Sequence, residues 1–252
     1  MRASLAMDSL QLNYPRVRNR SDDIAEWRVR VSKRARNLRI QVFPYGGVEI
    51  VVPERTRQRD LDAFVREHHD WINRTQNEYL ARRADEKYLP DEIDLRAVNE
   101  RLSLTYSEGA KARARQNGDT LLVCVPEKTV QHVWPVLQGW LKRKARKHLS
   151  AELTQLSRTT GLYPSRLQVR LQQTRWGSCS PNGTISLNAA VLLRTPEEMR
   201  YVVIHELCHL RHLNHSRRYW QLVERHEPGY RAIDHRLAAA WESTPLWLSR
   251  AL

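Results

Sequence analysis

Apolar and polar residues change their period several times along the chain, and each change marks an element. Residues 1–24 show no sustained period and read as a flexible N-terminal tail. From Trp27 the pattern alternates, with Trp27, Val29 and Val31 separated by Arg28 and Arg30, as in a half-buried strand. A second strand is predicted near Leu38–Phe43, Pro44-Tyr45-Gly46-Gly47 reads as a turn, and Val48, Ile50 and Val52 lead on to Pro53. Together these predict a β-meander. The period then becomes helical over roughly 57–84, where Leu61, Phe64, Val65, His68, Trp71, Ile72, Thr75 and Tyr79 share one face. Residues 88–128 read as β-rich: Leu102, Leu104 and Tyr106 alternate, and Asn117-Gly118-Asp119 turns the chain before Leu121–Val125. A second long helix is predicted over roughly 130–160, with Trp134, Leu137, Leu141, Ala145, Leu149, Leu153 and Leu156 on one stripe and Gly161 as its C-cap. Strands are expected at 166–172 and 184–188, joined through Trp176–Gly183. A third helix opens at Thr195, with Pro196 in its first position and Glu198 closing a capping box. The fold class is α+β. Its expected portions are the tail 1–24, a β-rich portion with one long helix over 25–129, and a second portion over 130–252.

Composition narrows the class. The 252 residues, 41% apolar and 28% charged, suffice for a real core and do not describe a disordered chain. No run approaches the roughly 18 apolar residues of a membrane helix, and the N-terminus carries no apolar signal-peptide stretch. Cys124, Cys179 and Cys208 are odd in number, far apart and form no CxxC pair. They argue for a reducing, cytoplasmic setting and against a disulfide scaffold or a cysteine zinc knuckle. The formal net charge of +14 raises the question of a nucleic-acid partner bound weakly through a basic surface. The densest basic stretch, Lys142-Arg143-Lys144-Ala145-Arg146-Lys147, lies on a predicted helix and points in several directions, as a solvated face does.

The chemistry is concentrated in the third helix, which contains His205-Glu206-Leu207-Cys208-His209. Residues four apart on a helix share a face, so the imidazoles of His205 and His209 can converge on one ion. Glu206, beside the first of them, can reach a water on that ion as general base. Neutral imidazoles suit zinc, and a catalytic zinc takes three protein ligands and keeps one position open. His215 is the favoured third ligand, because Asn214 before it can end the helix and turn the chain back. His212 and Glu224 are the alternatives. Cys208 reads as a small apolar filler.

Two blocks of sequence resemble a known family. Residues 174–193, TRWGSCSPNGTISLNAAVLL, and residues 201–224, YVVIHELCHLRHLNHSRRYWQLVE, are similar to those of the YgjP-like zinc metallopeptidases, relatives of the SprT and WLM groups. The second block carries the family's HELxHxxxxNHSxxFW pattern, with Tyr219 in place of its Phe. The resemblance implies one zinc per chain on His205, His209 and His215, Glu206 as catalytic base, and a zincin-like core with the motif helix packed on a small mixed or antiparallel sheet. The ligand spacing also matches that of metzincins, but His212 stands where their glycine would be and no methionine follows Met199.

A soluble zinc peptidase acting on proteins or peptides is therefore the first expectation. A nucleic-acid-associated zinc protein, or a protease of nucleic-acid-bound proteins, and a zinc amidohydrolase of small molecules are the alternatives. Arg175, Trp176 and Tyr219 are candidate substrate-binding residues, with Arg175 or Tyr219 a candidate oxyanion stabiliser. Trp176-Gly177-Ser178-Cys179 reads as a tight turn near the site, or as the lead into an edge strand that takes up substrate backbone.

Overall fold

A computed structural model describes residues 27–43, 47–81, 87–241 and 243–248. The expected tail and Pro44, Tyr45 and Gly46 of the expected turn lie outside the described residues. The chain divides into two compact units, Met1–Ala84 with Leu252, and Asp85–Ala251.

The first unit holds β1 (Trp27–Ser32), β2 (Arg39–Val42), β3 (Val48–Pro53) and α1 (Gln58–Ala81). Its strands are not the meander that the alternation predicts. Their order is β1-β3-β2, with β3 parallel to β1 and antiparallel to β2. Burial accounts for the order. Val48, Ile50, Val51 and Val52 are all buried, so β3 takes the centre, while the arginine-bearing strands β1 and β2 occupy the edges. The core joins Val48, Ile50 and Val52 to Leu61, Val65 and Ile72 of α1, with Trp27, Val29 and Ile40 packed around them.

The second unit begins with β4 (Glu92–Leu95), β5 (Glu100–Glu108), β6 (Arg113–Asn117) and β7 (Thr120–Val125), in the order β4-β5-β7-β6. Gly118 makes the β6–β7 turn at φ +56°, a conformation that favours glycine. The 31-residue α2 (Val130–Thr160) buries the predicted stripe from Trp134 to Leu156 and packs on β6 and β7 among other elements, and Gly161 caps it at φ +70°. The second unit keeps the 92–125 sheet together with α2, on which β6 and β7 pack.

A second small sheet follows. β8 (Arg166–Arg170), β9 (Gly177–Cys179) and β10 (Thr184–Asn188) have the order β8-β10-β9, with β8 parallel and β9 antiparallel to β10. β10 is therefore central, not the edge strand that one reading of the Trp176–Cys179 block made it, and β9 itself is an edge. The reason is local: Ile185, Ser186, Leu187 and Asn188 are all buried. Thr195 then caps α3 (Pro196–Cys208), its side chain accepting from the Glu198 N–H while the Glu198 carboxylate accepts from that of Thr195. Helix α3 packs on α2, β9 and β10 and beneath α4 (Arg217–His226) and α5 (Tyr230–Ala239). Val203, Ile204, Leu207 and Cys208 in it are fully buried. Among the described residues no helix is long and apolar enough to cross a membrane.

Candidate metal centre

His205 and Glu206 lie in the last turn of α3, and His209 is the residue that ends it. The helix does not continue to His212. After Cys208 the chain tightens, with Arg211 and His212 N–H groups both donating to the Cys208 carbonyl, and residues 213–215 bring His215 back over the site. Ser216 then caps α4 through its hydroxyl, 3.4 Å from the Tyr219 nitrogen. The turn-back thus leads straight into a capped helix, which fixes where His215 stands.

The imidazoles of His205, His209 and His215 come together, with one nitrogen of each ring within 4.8 Å of those of the other two. Nε2 of His205 and Nε2 of His215 are 3.2 Å apart. Two nitrogens on one tetrahedral ion, with bonds of about 2.0–2.1 Å, stand about 3.3–3.4 Å apart, so the observed spacing fits a shared divalent cation. The alternatives, His212 and Glu224, do not join the cluster. His212 contributes only its backbone carbonyl, 2.9 Å from His209 Nδ1, and Glu224 turns its carboxylate to the Gly229 N–H. That carbonyl places the His209 proton on Nδ1 and leaves Nε2 free to ligate.

The centre is walled by rings of α4. Tyr219, fully buried, stacks on His209 at 4.4 Å, and its hydroxyl donates to the His205 carbonyl at 3.1 Å. Its hydroxyl is thus engaged with backbone beneath the histidines. Trp220 stacks on His215 at 5.3 Å. Burial, reinforced by the two neighbouring imidazoles, drives the His205 pKa down to about 3, and burial lowers that of His209 as well. Neutral rings are the form a cation needs.

Glu206 is 4% exposed, and among the described residues its buried Oε2 has no hydrogen-bond partner. Burial pushes its carboxyl up to about 8, opposed by the charge of Arg175. The carboxylate lies directly against β9: a Cβ at Gly177 would stand 2.5 Å from Glu206 Oε1 and 2.7 Å from its Cγ. Glycine is what lets the strand and the carboxylate share that space. Cys179 in the same strand is no thiolate, since burial and the Glu206 charge push its thiol up to about 11.

Asn188 organises the loop before β9. Fully buried, it donates from Nδ2 to the carbonyls of Gln172 and Arg175, at 2.8 and 3.0 Å. The Arg175 side chain stays exposed. Trp176 is engaged elsewhere: it stacks on Trp241 at 4.2 Å, lies under the Arg194 guanidinium at 5.4 Å and donates to the Leu237 carbonyl at 3.1 Å.

The model of the YgjP-like metallopeptidase domain matches residues 36–240. The chain belongs to this family. A search of curated proteins finds no match. Among solved structures, the crystal structure of the metallopeptidase zymogen of Pyrococcus abyssi abylysin shares 31% identity, covering 36% of this chain and 92% of that one, with a TM-score of 0.34.

Three contributors to this YgjP-like centre escape the motif: the His212 carbonyl, Tyr201 and Asp234. Tyr201 stands four residues before His205 and so shares its face, a signal present in the sequence. Its hydroxyl is 3.3 Å from His205 Nδ1 and donates to Asp234 Oδ1 at 2.8 Å. Asp234 arrives from α5, 29 positions beyond His205, with no local spacing to mark it.

Proposed function

We propose that the chain is a zinc peptidase in which His205, His209 and His215 hold one ion and Glu206 is the general base. The observation that carries this reading is the buried Glu206 Oε2, unpartnered among the described residues, one position along α3 from the first of three converging imidazoles. An uncompensated buried carboxylate costs several kcal/mol, a cost that falls when a cation and a water complete its surroundings. When bound, zinc acidifies a water and polarises the scissile carbonyl.

The rest of the reaction belongs to the protein. Glu206 Oε2 accepts a proton from the attacking water as the tetrahedral carbon forms, then delivers it to the leaving amine. The missing Cβ at Gly177 leaves the room in which that carboxylate lies against β9. Among the described residues no strand pairs with the outer edge of β9, whose backbone N–H and C=O groups would take up an extended peptide running antiparallel or parallel to it. Arg175, exposed in the loop just before this strand, remains the candidate for contact with substrate, whereas Trp176 and Tyr219 support the walls.

Glu206→Gln tests the assignment. The expected result is a fall in peptide hydrolysis of about 10²–10⁴-fold with one zinc per chain retained, measured by fluorogenic peptide-library digestion and metal analysis on the same sample. Hydrolysis at the native rate by the zinc-loaded variant would exclude Glu206 as the base.

A further inference from the structure

We infer that Tyr201 and Asp234 form a hydrogen-bonded relay that sets the tautomer of His205, and through it the affinity of the centre for its ion. The inference rests on the three-histidine reading above. His205 Nε2 faces His215 Nε2 at 3.2 Å, so ligation needs the His205 proton on Nδ1. The group facing Nδ1 is the Tyr201 hydroxyl, which can either donate or accept. If it donated, Nδ1 would have to be unprotonated and Nε2 would carry the proton into the centre.

Asp234 decides between these two arrangements. A tyrosine has one hydroxyl proton, and at 2.8 Å the carboxylate Oδ1 takes it. The Tyr201 oxygen is then left only as an acceptor, and Nδ1–H of His205 is its donor. The geometry is held on both sides. The Tyr201 ring is 2% exposed, meets the His205 ring edge-on at 5.7 Å and stacks on Tyr230 at 6.3 Å. The cations nearest Asp234 on its own helix are occupied elsewhere: Arg231 lies over Tyr230, and Arg236 pairs with Glu197 and Glu198. Among the described residues no cation forms an ion pair with Asp234, so its charge is directed at Tyr201.

His209 provides an internal contrast. Its Nδ1 faces a backbone carbonyl, which can only accept, so its tautomer needs no relay. Tyr201 and Asp234 are thus positioning residues for one ligand of the three.

The test uses the full chain with Asp234→Ala, Tyr201→Phe and the double variant. Zinc affinity, measured by competition with a chelating fluorophore, is expected to fall about 10–100-fold in each single variant, with the double variant no weaker than Tyr201→Phe. Nitrogen-15 NMR of the metal-free chain is expected to give His205 as the Nδ1–H form in the native protein. In Asp234→Ala the Nε2–H form should grow at His205 while His209 stays unchanged. Native zinc affinity together with an unchanged His205 tautomer in a folded Asp234→Ala would overturn the relay. Should Tyr201→Phe fail to fold, Asp234→Ala decides alone, since it alters an exposed helical position. A native chain that takes up no zinc contradicts the three-histidine reading instead, and the metal-free tautomers then decide the relay.

Discussion

Gly177 and Glu206 occupy one space, and a single methyl group between them separates structure from chemistry. Gly177→Ala places its Cβ within 2.5 Å of Glu206 Oε1, so either β9 or the carboxylate must move. Overpacking of this kind costs about 1–3 kcal/mol. The expected outcome is a lowered thermal midpoint in the native background and almost none of that loss in a Glu206→Ala background, where the obstructing atoms are gone. Equal losses in both backgrounds would refute the steric account. At this scale the spacing of His205 and His209, four apart with Glu206 between them, made a shared face readable, and the structure clusters both with His215. Asp234 and the His212 carbonyl were not readable, since one is brought in by tertiary packing of α5 and the other is backbone, to which residue identity says nothing.

The long helix α2 is tied to the neighbouring strands by one polar cluster. Lys144 pairs with Glu100 of β5 and donates to Gln116 Oε1 of β6 at 2.8 Å, and Gln116 donates to Glu100 at 3.1 Å. Burial would raise the Glu100 carboxyl, but the Lys144 and Gln116 hydrogen bonds and the Lys144 charge hold it below its ordinary 4.5. A carboxyl depressed on folding adds stability above its unfolded pKa, and that stability is lost as pH falls through the folded value. Glu100→Gln should therefore lower the thermal midpoint at pH 7, with the difference from native shrinking toward zero in scans below about pH 4.5. A constant difference across that range would show the pair to be electrostatically idle. Element types at this scale follow from period and capping: α1 and α2 begin and end close to their predicted limits, and α3 begins where its capping box predicts. Strand order does not. Alternation says which face of β1 is apolar but not that β3 will sit between β1 and β2, and it gives no hint that three residues inside a predicted turn form β9.

For the whole molecule, the +14 charge is spread over a folded surface rather than gathered in a tail. Within the densest stretch Ala145 is buried and Lys144 is paired, leaving Lys142, Arg143, Arg146 and Lys147 exposed. Such a surface gives weak, sequence-independent attraction to polyanions. Binding of a labelled oligonucleotide is expected at Kd of about 10⁻⁴–10⁻⁶ M near physiological salt and to vanish steeply as salt rises. Tight, sequence-dependent binding at that salt would call for a dedicated nucleic-acid site. The family match, residues 36–240, runs across both compact units, so the whole chain and not its second unit alone is the sample to study. The central claim is that three histidines hold one zinc beside Glu206. Crystals of the zinc-loaded chain, with diffraction collected on both sides of the zinc absorption edge, test it most directly. One anomalous peak per chain is predicted, about 2.0–2.1 Å from the ring nitrogens of His205, His209 and His215. No peak there, or a peak on other residues alone, would contradict the account.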